Sequence, residues 1–230
     1  MNRMFEMYQQ YADRYDQLVN HEDYAGNLKR FLNDLIDWQG KTVCEFGCGT
    51  GRVTKMYAER AASCLLCDNS AQMLEQAARN LSGITRPLNL RELDNRQLDT
   101  LSGNFDIVIE GWSFGHLVAA EPERIEYWTD FLVQHCSRLA GQLVIFIETL
   151  GTDTEQPKPP GPSLAEFYRL LEASGFVRSE LRTDYRFENS RKASEIMGAF
   201  FGNTMADSII ARDIKVIPEY TGVWVLDKGR

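Results

Sequence analysis
Directly after a short apolar run, the chain reads Glu45-Phe46-Gly47-Cys48-Gly49-Thr50-Gly51, with a glycine at every second position. Glycines there let the backbone turn tightly and approach a ligand, and a helix that starts at the turn aims its positively polarised N–H groups at that ligand. The dinucleotide fingerprint needs another glycine at position 52, where Arg52 stands. Asp68 closes a second apolar run, and a carboxylate at that place can accept both hydroxyl protons of a ribose. Asp94-Asn95 follow a third, weaker run and can accept from an adenine amino group, a role that Glu92 or Asp99 could also take. If the three runs are neighbouring strands, these groups meet at their carboxyl ends, where open α/β sheets bind ligands. The set suits an adenosine that carries no pyrophosphate.

Two other groups of residues invite chemistry. His116 lies six residues beyond Glu110, in Glu110-Gly111-Trp112-Ser113-Phe114-Gly115-His116-Leu117. It could remove a proton from an attacking oxygen or nitrogen, or serve as a structural hydrogen-bonder at a helix start. Cys44, Cys48, Cys64 and Cys67 suggest zinc at first sight. However, Cys64 and Cys67, three apart on a strand, point to opposite faces, so buried reduced thiols are the better reading.

Positioning such a site takes alternating strands and helices, and the sequence supplies them. Thr42 to Phe46, Cys64 to Cys67, Leu88 to Glu92, Phe105 to Ile109 and Gln142 to Ile147 read as strands, as do Phe176 to Phe187 and Gly222 to Asp227. Helices are expected over Arg52 to Ala62, after the capping residue Ser70, from Glu121-Pro122 onward, and from a capping box at Ser163-Leu164-Ala165-Glu166 up to Gly175. Met4, Tyr8, Tyr11, Tyr15 and Leu18, at steps of four and three, form one face of an N-terminal helix, and Leu28, Phe31, Leu32 and Leu35 form a second. The proline-rich stretch 152–162 is a loop inside this alternation and marks no domain boundary. The pattern implies a mostly parallel, doubly wound α/β sheet covered on both faces.

These segments together resemble the class I S-adenosylmethionine-dependent methyltransferases over essentially the whole chain. Val43 to Gly51 is similar to the family's first motif and Leu66 to Leu74 to its second-strand segment. Asp94 to Leu98, Phe105 to Ile109, Gly141 to Ile145 and Ala173 to Phe176 follow in the family's order, and Tyr11 to Asp16 resembles the lid segment of small-molecule members. The resemblance implies one domain over residues 1–230 with a seven-stranded Rossmann-like sheet. Its parts are a helical lid (1–38), a cofactor-binding half (41–150) and an acceptor-side half (151–230). It implies S-adenosyl-L-methionine as cofactor: Glu45, Gly47, Cys48, Gly49 and Gly51 about its methionyl part, Asp68 on the ribose, Asn69 and Met73 beside the adenine, and Asp94 and Asn95 at the adenine edge. Glu110 and Gly111 would lie below the sulfonium, Tyr15 would reach in from the lid, and His116 would be the candidate base.

Composition narrows the partners. A net charge of −8, with no basic run longer than a pair such as Arg191-Lys192, disfavours nucleic acid and agrees with the small-molecule acceptor that the resemblance implies. No Asn-Pro-Pro-Tyr or Asp-Pro-Pro-Tyr segment follows the fourth strand, and no Pro-Cys pair of the kind used by cytosine-C5 enzymes is present. No apolar run is long enough for a membrane span and no signal peptide is evident, so a cytoplasmic location is expected. Trp112, Phe114, Phe200 and Phe201 are candidate walls for the acceptor. The rival reading from another class is a catalytically silent cofactor-binding regulator or scaffold. A nicotinamide-dependent oxidoreductase is disfavoured by Arg52.

Overall fold
A computed structural model describes residues 12–229, so Met4, Tyr8 and Tyr11 of the N-terminal stripe lie outside the described residues. The first described helix is α1 (Ala12–Val19). Helix α2 (Asn27–Leu35) buries Leu28 and Leu32. Its first turn is capped by Asp23, whose carboxylate accepts from the backbone N–H groups of Asn27, Leu28 and Lys29. Those donors have no partner inside the helix, which is why an acidic residue before the first turn stabilises it.

The sheet is built from β1 (Thr42–Phe46), β2 (Ser63–Asp68), β3 (Leu88–Glu92), β4 (Phe105–Gly111), β5 (Ala140–Thr152) and β6 (Val177–Arg182), with β9 (Glu219–Asp227) inserted between β5 and β6. The seven strands run in the order β3-β2-β1-β4-β5-β9-β6. β9 is antiparallel to both of its neighbours, whereas β1 pairs parallel with β2 and β4. Asp106 stitches the amino-terminal edge, accepting from Thr42 N and Oγ1 and from Gln142 Nε2.

Alternation along each strand divides the apolar residues between two layers. Cys44, Phe46, Val108, Val144 and Phe146 face the layer of α5 (Phe114–Ala120), α6 (Ile125–Leu139) and α7 (Pro162–Ala173). Val43, Leu66, Ile107, Ile109 and Ile145 face the layer of α2, α3 (Thr54–Tyr57) and α4 (Ala71–Asn80). A third cluster joins Leu18 of α1 to a cap made of α8 (Ser190–Phe201), α9 (Asn203–Arg212) and a small ribbon of β7 (Tyr185–Arg186) and β8 (Val216–Ile217).

Several elements differ from the sequence expectation. The helix expected over Arg52 to Ala62 is only Thr54–Tyr57, because the chain must turn by Arg60, whose N–H bonds Tyr57 O, to begin β2. The Ser163 capping box does not form. Proline fits the first helical position, so α7 starts at Pro162 with Gly161 before it and Ser163 already inside. The single strand expected from Phe176 to Phe187 is broken at Thr183-Asp184 into β6 and β7, since Asp184 turns aside to accept from the Glu219 N–H. All five cysteines are buried and free. Among the described residues, no helix is long and apolar enough to cross a membrane.

Candidate active site
At the carboxyl ends of β1, β2 and β4 lies a cleft of about 470 Å³. Its floor is the glycine turn. Gly47 and Gly49 have φ of 63° and 52°, in the left-handed region that L side chains rarely adopt. A Cβ on Gly47 would lie 2.1 Å from the Cβ of Ser113, so the turn after β1 and the loop after β4 touch only because Gly47 has no side chain. From above, Tyr15 of α1 covers the turn, its Cε1 3.7 Å from where a Cβ on Gly49 would sit. Burial pushes its phenol up to about 12.

Asp68, the last residue of β2, holds the turn from the side. Its Oδ2 accepts from Gly49 N and its Oδ1 from Ser70 N, both at 2.9 Å. Burial raises its carboxyl above the usual range, and these backbone bonds oppose the rise. A carboxylate has about four acceptor sites, so lone pairs remain on both oxygens for a diol. Ser70 caps α4 by accepting from Met73 N. Beyond β3, Asp94 Oδ1 accepts from Arg96 N, and Asn95 Nδ2 donates to Ser113 Oγ at 2.6 Å.

The fourth side of the cleft is the loop after β4. Trp112 has φ 54°, uncommon for so bulky a residue, and is held there by its N–H bond to Ile147 O at 2.7 Å. The Arg52 guanidinium stacks 4.0 Å from the centre of its ring and pairs with Glu22 at 2.7 Å. His116 on α5 lines the cleft, and burial lowers its pKa, leaving the imidazole neutral near pH 7.

Of the residues singled out in the sequence, the structure brings Tyr15, Gly47, Gly49, Asp68, Asn69, Met73, Asp94, Asn95, Gly111 and His116 together on this cleft. Glu45, Cys48, Gly51 and Glu110 do not line it. Glu45 shares the face of Val43, and its Oε2 accepts from Thr54 Oγ1 and Tyr57 OH behind the turn. Burial raises it to about 7. Cys48 is buried, and a side chain on Gly51 would meet Leu81, so that glycine serves packing. Glu110 points into the α5 layer, where its Oε1 accepts from Ser113 N and Phe114 N. Phe114 is buried between Phe46 and Phe146, and Phe200 in the cap cluster, and neither lines this cleft.

The cleft also includes Ser70, Arg96, Ser113, Leu117, Ala119 and Ala120, which the sequence reading passed over. Ser70 and Arg96 directly flank residues that were found. The α5 residues needed recognition of a short helix after Trp112, for which a seven-residue apolar stretch gives little periodicity.

A methyltransferase-domain family model matches residues 43–132, which run from β1 into α6 and hold every lining residue of this cleft but Tyr15. An uncharacterized methyltransferase of Geobacillus kaustophilus is 31% identical over 162 residues, covering 67% of this chain and 71% of its own length. Among solved structures, a DhpI–S-adenosylhomocysteine complex aligns with a TM-score of 0.61 at 19% identity, over 99% of this chain and 97% of that one. The magnesium protoporphyrin IX methyltransferase of Synechocystis PCC 6803, solved with S-adenosylmethionine bound, gives 0.53 at 16% identity over 97% of both chains. At such identities the two structures speak for the fold alone.

Proposed function
Because the chain belongs to the class I S-adenosylmethionine-dependent methyltransferases, we propose that it passes a methyl group to a small-molecule acceptor by in-line displacement in the cleft beside Trp112 and His116. The observation that carries this reading is the junction of Asp68 with the glycine turn. A carboxylate with unused lone pairs and a glycine turn so closely packed that any side chain on Gly47 would strike Ser113 are gathered in one cleft. A cleft of about 470 Å³ is in the range of small-ligand sites. These features fit S-adenosylmethionine, which when bound supplies an activated methyl on a sulfonium.

The protein's part is then alignment and exclusion of water. Asp68 accepts from the ribose hydroxyls. Asp94, Asn95 and Met73 bound the adenine, and Gly47 and Gly49 let the backbone approach the methionyl part. Tyr15 closes the cleft from the α1 side. Trp112 fixes where an acceptor rests, and His116, neutral because it is buried, takes the proton that the acceptor loses. An acidic chain with scattered basic residues supports a small acceptor over a polyphosphate one. A relative from Arabidopsis thaliana, 29% identical over 94 residues, is named for a porphyrin substrate.

S-adenosylhomocysteine should raise the melting temperature by mass action. Release of the same product from S-adenosylmethionine should then report turnover across a panel of small amines, phenols, thiols and carboxylic acids. Turnover on RNA or DNA with none on small molecules would sink the acceptor reading.

A further inference from the structure
We propose that Glu110 and Glu148 form one positioning unit, sharing a proton, that fastens the segment 111–116 in the shape the cofactor cleft requires. This rests on reading the cleft as the cofactor site.

Both carboxyls lie in the interior, Glu110 with 0% and Glu148 with 3% of its surface exposed. Alternation puts Glu110 on the face of Val108, and Glu148 on the face of Val144 and Phe146, so both point into the α5 layer. There they take the leading backbone donors of α5 in succession. Glu110 Oε1 accepts from Ser113 N at 2.6 Å and from Phe114 N at 3.0 Å, and Glu148 Oε1 accepts from Gly115 N. A Cβ on Gly115 would stand 2.7 Å from Glu148 Oε2, so glycine is what admits the carboxyl.

The remaining oxygen of Glu110, Oε2, is buried and has no hydrogen-bond partner among the described residues. It lies against the Glu148 carboxyl, and two carboxylates in contact inside a protein cannot both stay ionised. A proton between them satisfies the orphaned oxygen and removes the repulsion. Burial above all raises both groups, Glu110 to about 7 and Glu148 well above the carboxylate range. Among the described residues, the ionisable side chains whose fields reach the pair are Cys136 on α6 and Tyr168 on α7, both kept neutral by burial. Tyr168 gives its own proton to Thr149 O, so the shared proton is the pair's own.

What the unit holds is the wall of the cleft. Trp112 sits in a left-handed conformation just before the first of these bonds. Ser113 packs on Gly47 and accepts from Asn95, and His116 follows one residue after Gly115. With both carboxyls ionised, or with one removed, the bonds to Ser113, Phe114 and Gly115 lose their anchor and the wall shifts.

The test compares wild type, Glu148→Gln and Glu148→Ala by calorimetry with S-adenosylhomocysteine from pH 7 to 10. In Glu148→Gln the amide N–H stands permanently where the shared proton was, while its oxygen still accepts from Gly115. It should bind within about threefold of wild type at pH 7. Wild-type affinity should fall relative to it as the pH rises, and Glu148→Ala should bind at least tenfold more weakly. Trp112 emission, isolated by subtracting Trp112→Phe, should shift with pH in wild type and stay constant in Glu148→Gln. Matching pH profiles in wild type and Glu148→Gln, or full affinity in Glu148→Ala, would overturn the proposal. If Glu148→Ala does not fold, the glutamine comparison decides alone. Wild type that ignores S-adenosylhomocysteine at pH 7 would refute the cofactor reading instead, and the Trp112 emission would still judge the pair.

Discussion

Gly47→Ala tests the contact between the two loops that form the floor and wall of the cleft. The substitution carries two separable costs. An L residue at φ 63° costs roughly 1–2 kcal/mol. In addition, the new Cβ would lie 2.1 Å from Ser113 Cβ and 2.4 Å from its Oγ. Relaxing that to an ordinary separation near 3.5 Å moves one loop by roughly 1.5 Å, which in a packed region costs about 1–3 kcal/mol. Gly26→Ala supplies the control, since Gly26 has φ 70° with nothing within 4 Å of its Cβ position. Both variants should lose the backbone share, and Gly47→Ala should lose about 1–3 kcal/mol more in denaturant unfolding. For a chain of this size that difference is about 2–12 °C in melting temperature. Removing the obstructing atoms with Ser113→Gly should return part of the excess, giving a coupling of about 1–3 kcal/mol in the double-mutant cycle. S-adenosylhomocysteine affinity should fall in Gly47→Ala and stay unchanged in Gly26→Ala. Equal stabilities in the two alanine variants, or additive behaviour with Ser113→Gly, would refute the close-contact reasoning.

Asp68→Ala should weaken S-adenosylhomocysteine binding by about 1.5–3 kcal/mol, the scale of a hydrogen bond to a charged group; unchanged affinity by calorimetry would remove Asp68 from ribose recognition. His116→Ala should lower turnover on the acceptor found by screening by about 10²–10⁴ while cofactor affinity stays within about twofold; unaltered turnover from pH 6 to 9 would leave alignment as the source of catalysis. Burial pushes Glu45, Glu110 and Glu219 up to about 7, 7 and 8, above the ordinary value of 4.5. The folded state therefore binds their protons more tightly than the unfolded chain, and stability present at pH 4.5 is lost as the pH rises toward 8. The loss is up to about 1.4 kcal/mol per pH unit for each group. Unfolding free energy measured between pH 5 and 8 should fall by at least about 3 kcal/mol, and a rise across that window would contradict the assignment. Hydrogen exchange in residues 12–19 should slow when S-adenosylhomocysteine is added, because Tyr15 covers the turn; equal rates would reduce α1 to packing.

The glycine turn and Asp68 were legible in the sequence because their roles are local. A turn between a strand and a helix must sit at the strand's end, and Asp68 directly follows an apolar run. Strand alternation, read one step further, also separates Glu45 from Glu110. Glu45 falls on the face of Val43, toward α3, and Glu110 on that of Val108, toward α5. The family resemblance sets both beside the cofactor, yet the pleat turns their side chains into opposite layers. Glu148 passed unnoticed, one residue beyond the strand read from Gln142 to Ile147. Its meaning depends on which strand lies beside it, and that is long-range information. The same holds for Phe114 and Phe200, whose type suits a ligand wall and a core equally well. The cap ribbon of β7 and β8 could not be anticipated, since two-residue strands leave no periodicity to read.

The inserted antiparallel strand has a consequence for how the chain reaches its shape. β9 comprises residues 219–227, yet it lies between β5 and β6, which are made far earlier. During synthesis, everything from the glycine turn to the middle of the sheet can assemble in order, each strand adding beside one already present. β5 and β6 cannot join until the stretch from 219 onward has emerged. Up to that moment both present bare edges, including the apolar run Leu143 to Ile147, to any other nascent chain. Closure is thus a single late event that joins β9 to two strands made well before it, a topology that folds slowly and is open to aggregation while it waits. A ribosome stalled shortly before residue 219 would hold a finished run of strands from β1 to β5 with an unsealed flank. Holdase chaperones should find their longest dwell there.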